Sequence, residues 1–176
     1  MSTYHAVEAV SRAIVGLLDG APHSAEFVEA KFALFRVEDF EKPMESGISI
    51  YLYRVAVDTA SRNRAPVVAR GGGRARPPLA LSLHYLLTAW GTDAESEHRL
   101  LAWAMRVLAD TPILPGELLN LTSVGAFRPN ETVELTLEDL ALSDELALWR
   151  GMRFRHRLSM SYAARLVMID SAVGTN

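Results

Sequence analysis

The chain contains no cysteine, only two lysines among its 18 basic residues, and no long apolar run. The absence of cysteine excludes disulfide bridges, thiolate catalysis and zinc sites built on sulfur, and it is typical of cytoplasmic proteins. No stretch approaches the roughly 18 apolar residues of a membrane-spanning helix. The formal net charge of -3 gives no general attraction to nucleic acid or membrane. We therefore expect a cytoplasmic protein that has no nucleic-acid or membrane partner.

The motifs of common catalytic and metal sites are also missing from the sequence. It has no G-x-S-x-G elbow, no H-E-x-x-H pair and no EF-hand loop. The triplet Gly71–Gly73 is not a phosphate-binding loop, because arginine and proline follow it instead of Lys-Ser/Thr and a helix. We expect no catalytic residues, no metal and no cofactor.

The segment Leu79–Thr92 has leucines and Tyr85 at alternate positions, with His84 and further apolar side chains between them. Since both sets include apolar residues, the pattern predicts a central strand that is covered on both faces. Pro77-Pro78 precedes the strand and Gly91 follows it, and these residues end strand pairing.

Other segments with alternating apolar residues predict four more strands, at 31–37, 48–58, 132–137 and 157–169. The sequence has 176 residues, of which 49% are hydrophobic, so it is long enough for one domain with a core. We predict an α/β (α+β) fold over residues 1–176. Its twisted sheet would be mixed or mainly antiparallel, with about four to five strands packed by about three helices.

Capping signals mark the predicted helices. The first begins after Ser2 or Thr3 and ends at Asp19-Gly20, and the longest follows a Thr92-x-x-Glu95 capping box. Ser143 is predicted to cap the last helix. The segment 113–125 suits a short helix and irregular packing equally well.

A histidine in the central strand suggests enzyme chemistry as one alternative. Comparison of His84 with Ser82, Ser159 and the available carboxylates gives no recognised catalytic set. A single histidine on a strand face is more commonly packed and hydrogen-bonded than catalytic. We therefore interpret His84 as structural, and keep an enzyme of unknown type that uses it as the less favoured alternative.

Arginine is concentrated in a loop of about 20 residues, a length that is usually functional or disordered in a compact domain. Residues 59–92 include five arginines and no acidic residue. A guanidinium group can bind a carboxylate through two parallel hydrogen bonds. We therefore predict that the loop is an arm that docks on an acidic protein surface. A solvated loop is the alternative, and nucleic acid is disfavoured because the loop has no aromatic residue for base stacking. We assign partner binding to Arg62, Asn63, Arg64, Arg70, Arg74 and Arg76.

A second basic run, residues 150–157, lies between the last predicted helix and the last predicted strand. Its arginines suit a charged rim of the sheet as well as a binding surface. We assign Arg153 and Arg155 to partner binding.

Three stretches occur in order along the chain: ISIYLYRVAVDTASRNR, then LALSLHYLLTAWGTDAESEHRLLAWAMRVLADTPIL, then LEDLALSDELALWRGM followed by RLSMSYAARLVMID. They resemble the N-terminal domain of the cap, or tail-terminator, proteins of contractile injection systems, which are phage-tail-like particles. The resemblance covers most of the chain, and LYR…RN and LHYLLTAWG are its most specific parts.

The resemblance implies an α/β unit that assembles as a hexameric ring, seals the inner tube and sheath, and ends tube growth at a set length. The implied partners are further copies of the chain, the tube protein and the sheath protein. The implied location is the cytoplasm, with assembly into a tail-like particle. A monomeric adaptor that uses the arginine-rich loop 62–76 to bind an acidic partner is the alternative.

The residues that match the family look structural rather than catalytic. They are Tyr51, Tyr53, Arg54, Arg62, Asn63, His84, Tyr85, Leu86, Leu87, Trp90, Trp149, Ser159 and Tyr162. Many members of the family continue into a further C-terminal region, whereas this sequence stops soon after its last predicted strand.

Overall fold

A six-stranded mixed sheet forms the centre of the fold. The computed structural model describes residues 4–22, 27–58, 78–121 and 123–171. The strands are β1 Lys31–Phe35, β2 Gly47–Val57, β3 Leu79–Trp90, β4 Ile113–Pro115, β5 Thr132–Glu138 and β6 Ser159–Ile169. They lie in the order β1-β2-β3-β6-β5-β4. β1 and β2 pair in parallel and the other pairs are antiparallel, so β3 is a central strand as predicted.

The described residues form four α-helices and a 3-10 helix at Val37–Glu41. The α-helices are α1 Ala6–Gly20, α2 Ala94–Asp110, α3 Gly116–Leu119 and α4 Leu142–Met152. At 17 residues α2 is the longest, as its apolar pattern predicts. Within the described ranges, no helix has both the length and the apolar character needed to cross a membrane.

Helices α1 and α2 cover one side of the sheet, which we call the helix face. From β2 and β3 this face presents Ile48, Ile50, Leu81, Leu83, Tyr85 and Leu87. The buried side chains of α1 recur three or four residues apart, which aligns them along one side of a helix. They include Ile14 and Leu18, both fully buried. Burial of a side chain of this size contributes about 1.5–3 kcal/mol to stability.

The opposite side of the sheet carries a second, aromatic core, and we call it the aromatic face. Leu86 and Trp90 of β3 pack there with Phe40 from the 3-10 helix and Trp149 from α4. All six residues from Tyr85 to Trp90 are buried. The prediction that this strand is covered on both faces is therefore confirmed.

The parallel pair of β1 and β2 depends on a glycine at the first position of β2. Gly47 lies beside Lys31 of β1 and has a φ of 148°, which favours glycine. A Cβ atom at Gly47 would overlap the carbonyl oxygen of Lys31. The chain that joins the two strands includes the 3-10 helix, which supplies Phe40 to the aromatic face.

The predicted strand count of four to five is too low, since the sheet has six strands. The additional strand is β4, whose three residues pair with β5. Three residues are too few for alternation to be recognised in a sequence. The same ambiguous segment continues into α3, a single helical turn that accounts for the fourth helix.

Three predicted helix starts are displaced. The N-cap of α1 is His5, so this helix begins at Ala6 and not directly after Ser2 or Thr3. The N-cap of α2 is Asp93, whose carboxylate accepts a hydrogen bond of 2.8 Å from the backbone N–H of Ser96. The predicted capping box at Thr92 is therefore wrong by one residue. The N-cap of α4 is Ala141, which makes no side-chain capping hydrogen bond, so Ser143 lies inside the helix.

A bulge in β6 changes which of its side chains are buried. In the pairing of β6 with β3, Ala164 faces Leu83 but Val167 faces Leu81, so β6 has one extra residue. Leu166 lies in this bulge with a φ of 62° and is 45% exposed. The alternation of side chains along β6 is therefore interrupted there.

A buried hydrogen bond joins α1 to the central strand. The Ser11 hydroxyl donates to the carbonyl oxygen of Val7 at 3.0 Å. Because that proton is already used, the Tyr85 hydroxyl donates to Ser11 Oγ, at 2.9 Å. Burial raises the pKa of Tyr85 above its ordinary value, so the folded protein holds this phenol in its neutral form.

We predict that Tyr85→Phe lowers the free energy of unfolding by about 1 kcal/mol at neutral pH, because Ser11 loses its donor. Above about pH 10 an unfolded tyrosine releases its proton while the folded Tyr85 retains it. The unfolded state then binds fewer protons, so stability falls as pH rises, and Tyr85→Phe should lessen this fall. Urea denaturation at neutral pH and at about pH 10.5 measures both effects.

Tyr51→Phe is the matched control at neutral pH. Within the part of the chain that the structure describes, the Tyr51 hydroxyl has no hydrogen-bond partner and its ring packs on the aromatic face. We expect its effect on stability to stay within about 0.5 kcal/mol. A Tyr85→Phe variant with an unchanged alkaline loss would contradict burial of the phenol as a cause of that loss.

Candidate partner-binding surface

Most of the predicted partner-binding loop lies outside the described residues: Arg62, Asn63, Arg64, Arg70, Arg74 and Arg76. The structure does place both ends of that segment. In the antiparallel pair of β2 and β3, Val57 faces Leu81, and the Asp58 backbone N–H donates to the Ala80 carbonyl at 2.9 Å. The described residues on either side of the segment 59–77, Asp58 and Pro78, therefore lie at one end of the β2–β3 pair.

Arg153 and Arg155 follow the turn that ends α4. Arg153 is the C-cap, in the left-handed conformation with a φ of 66°, and the Phe154 N–H donates to the Trp149 carbonyl at 3.1 Å. This turn reverses the chain and returns Phe154 to the aromatic face. Both arginines are exposed. Among the described residues, no carboxylate lies within ion-pair distance of either guanidinium, so both can bind a partner.

The next two residues of this basic run are held by contacts within the chain. Arg157 lies 5.0 Å from the centroid of the Trp90 ring, and its Nη1 atom is 3.3 Å from Glu97 Oε1. His156 Nε2 is 3.1 Å from Glu145 Oε1. The basic run therefore divides into residues that fasten the rim of the sheet and arginines that are left exposed.

The two predicted basic segments attach to the fold at opposite ends of the central strand. The loop 59–77 joins the end that begins with Leu79, whereas Arg157 lies against Trp90 at the other end. The 12 residues of β3 separate these points by about 35 Å at the usual rise of an extended strand. The residues that border the loop 59–77 and the basic run at 150–157 therefore do not form one continuous site.

An aromatic cluster that the sequence did not predict lies beside Arg155. Phe40 lies at its centre, with ring centroids 6.0 Å from Trp90, 5.5 Å from Trp149 and 5.8 Å from Phe154. Aromatic and basic residues alternate irregularly from 149 to 157, and this pattern was the available signal. The contribution of Phe40 could not be foreseen, because it comes from a 3-10 helix far away in the chain.

His84 belongs to a polar network that crosses four strands of the sheet. Its Nδ1 atom lies 2.8 Å from Glu138 Oε2, and the two side chains are 15% and 24% exposed. Ser161 donates to the same carboxylate oxygen at 3.4 Å. The Tyr53 hydroxyl lies 3.1 Å from Ser161 Oγ, and burial is the main cause that raises the pKa of Tyr53.

The geometry of this network differs from that of a catalytic triad. His84 and Ser161 both donate hydrogen bonds to the Glu138 carboxylate, since an ionised carboxylate only accepts them. Ser161 bonds to Glu138 and not to His84, so among the described residues no serine is paired with the imidazole as a nucleophile. The arrangement joins β2, β3, β5 and β6 and favours the structural interpretation of His84.

The described part of the chain contains no group of three or more histidine, aspartate or glutamate side chains that could hold a metal ion.

Two cryo-EM structures share this fold. One is the sheath/tube terminator, in its extended state, of the extracellular contractile injection system PVC. It has a TM-score of 0.69 and 16% sequence identity, and the match covers 99% of this chain and 59% of that chain. The other is the tube-terminating cap of the anti-feeding prophage, with a TM-score of 0.66, 16% identity, and coverage of 95% of this chain and 56% of that chain.

At this level of identity the two structures establish the fold, which is a mixed α/β fold similar to that of tube terminators. The chain belongs to the Pvc16 N-terminal domain family, whose model matches residues 9–176. The predicted resemblance to the N-terminal domain of tail-terminator proteins is therefore confirmed. The chain spans a little under three fifths of the length of each of the two structures. No curated protein matches it by sequence.

We predict that His84→Ala lowers the free energy of unfolding by about 1–3 kcal/mol, because the partly buried Glu138 loses the shorter of its two side-chain hydrogen bonds and keeps only that from Ser161. Urea denaturation measures this loss. The matched control is His98→Ala, which removes an exposed histidine of α2 and should change stability by less than about 0.5 kcal/mol. Equal stability of the two variants would contradict the structural role of His84.

Proposed function

We propose that this protein is a structural cap of a contractile injection system, which forms a ring at the end of the particle and stops growth of the tube. The observation that carries the proposal is the family match over residues 9–176. The fold likeness supports it, because 99% of the chain superposes on part of a sheath/tube terminator. Residues 1–176 would act as one terminator-like unit.

The proposed role is non-enzymatic. The strongest catalytic candidate, His84, bonds through Nδ1 to a carboxylate that also accepts from Ser161, and this bonding ties strands together. A ring cap needs no reaction, only surfaces that match its neighbours. Cyclic symmetry provides these, because each copy presents one surface to one neighbour and a complementary surface to the other.

The proposed partners are further copies of this chain, in a hexameric ring, together with the tube protein and the sheath protein. Arg153 and Arg155 are suitable contacts because they are exposed and lie apart from the carboxylates of the described chain. From the sequence we add the loop residues Arg62, Asn63, Arg64, Arg70, Arg74 and Arg76. Assembly would begin in the cytoplasm and end in a tail-like particle.

We predict that the purified chain caps growing tubes. Added to tube protein that polymerises in vitro, it should shorten the tubes in a dose-dependent manner, because a bound ring blocks addition of the next layer. Electron microscopy measures the tube lengths and shows whether the protein is at tube ends. Light scattering of the chain alone should give a mass near six times that of one copy, and added tube protein should raise this mass further as the ring binds tubes.

The alternative, a monomeric adaptor that binds an acidic partner through loop 62–76, predicts a different pair of results. The adaptor would bind the partner as a monomer and leave the tube lengths unchanged. A chain that stays monomeric with tube protein present and does not affect tube length would contradict the cap proposal.

We predict that the triple variant Arg70→Ser, Arg74→Ser, Arg76→Ser keeps its fold and binds tubes or sheath at least about tenfold more weakly, since it loses charge-assisted hydrogen bonds. Co-sedimentation with assembled tubes or sheath measures binding, and circular dichroism measures the fold.

The matched control is Arg12→Ser, Arg99→Ser, Arg106→Ser. It removes the same charge from arginines that pair with carboxylates of their own helices. If both triple variants bind like the unmodified protein, the loop is solvated surface without a partner. If both weaken binding equally, only net charge matters.

A further inference from the structure

A pocket of about 200 Å³ opens on the aromatic face, at the Trp90 end of the central strand. Its walls include Phe40, Trp90, Trp149 and Phe154, and Arg155 and Arg157 contribute positive charge. Small-molecule sites in proteins usually have volumes of about 300–1,000 Å³. This pocket is therefore better suited to one side chain of a protein segment than to a whole small molecule.

The indole N–H of Trp149 is a buried donor without an acceptor. Trp149 is 2% exposed, and its Nε1 atom has no hydrogen-bond partner among the described residues. The other two tryptophans do have acceptors, since Trp90 donates to Ser49 Oγ at 2.8 Å and Trp103 to the Pro22 carbonyl at 3.3 Å. Buried donors are nearly always paired, and an exception requires an explanation. The Trp149 side chain also lines the pocket, so its indole N–H signal reports on what binds there.

The charge at the pocket favours an anionic acceptor. Arg157 is already engaged by Glu97 and by the Trp90 ring. Arg155 is exposed, and within the described ranges no carboxylate lies within ion-pair distance of it. A guanidinium at the mouth of an aromatic pocket can bind a carboxylate through two parallel hydrogen bonds.

We propose that this aromatic pocket is a docking site for a protein segment in which an apolar or aromatic side chain is flanked by carboxylates. The apolar side chain occupies the space lined by Phe40, Trp90, Trp149 and Phe154, and a flanking carboxylate binds Arg155. The proposal names the chemistry of a partner for the Arg155 surface and so rests on the partner-binding role proposed above, but its test requires neither tube nor sheath.

The experiment uses the full chain labelled with ¹⁵N and follows its indole N–H signals by NMR. The chain has three tryptophans, and Trp149→Phe identifies the signal of Trp149. The probes are three acetylated and amidated peptides, Glu-Phe-Glu, Gln-Phe-Gln and Lys-Phe-Lys. The acidic peptide should shift the Trp149 signal until saturation, because Trp149 lines the pocket, while the Trp103 signal stays unchanged. The basic peptide should bind at least about tenfold more weakly.

The variant Arg155→Ser tests the contribution of charge and, being at an exposed position, should fold normally. We expect it to weaken binding of the acidic peptide about tenfold and to bring its affinity close to that of the neutral peptide. Arg12→Ser is the matched control, because it removes an exposed arginine from α1, which packs on the helix face. It should leave binding unchanged.

Three results would overturn the proposal: no saturable shift of the Trp149 signal with any peptide, equal binding of the acidic and basic peptides, or equal loss in Arg155→Ser and Arg12→Ser. Each of these would leave the capping role standing, since tube length and ring mass are measured without peptides. Conversely, saturable acidic-peptide binding by a chain that does not cap tubes would support the pocket and count against the cap.

Discussion

The double-sided burial of β3 is the constraint on which the rest of this fold depends. Its residues from Tyr85 to Trp90 point alternately into two separate cores, and all six are buried. Such a strand needs a paired neighbour along each edge and cover on each face. β2 and β6 supply the edges, α1 and α2 cover one face, and the 3-10 helix and α4 cover the other. The buried polar side chains of β3 itself are paired, as in the bond of the Trp90 indole to Ser49.

Much of this architecture was predictable, because alternation over seven or more residues in β2, β3 and β5 leaves little choice of structure. The features that local sequence patterns could not predict depend on contacts with distant residues or on the chemistry of a single residue. β4 is a strand only because β5 lies beside it. The bulge that exposes Leu166 depends on the pairing of β6 with β3. Asp93 caps α2 in place of Thr92 because its carboxylate reaches Ser96.

The candidate site was predictable in part. The sequence shows the basic run at 150–157, but not which of its members are free. That depends on Glu97, 60 residues from Arg157, and on Glu145, 11 residues from His156. The aromatic pocket depends on Phe40 in the same way, since only the folded sheet brings it against Trp149. Contacts with distant residues therefore hold some members of the basic run, His156 and Arg157, and leave Arg153 and Arg155 available to a partner.

The same constraint explains why fold and partner chemistry must be argued from different residues. A sheet with two covered faces needs apolar side chains of suitable size in its cores, and many combinations satisfy that need. A shared fold at 16% identity is consistent with such freedom. The exposed rim carries no comparable restriction, so its charges do not follow from the fold. The carboxylate preference proposed for the aromatic pocket must accordingly rest on Arg155 and Trp149 of this chain, and it would hold or fail independently of how closely the sheet matches its relatives.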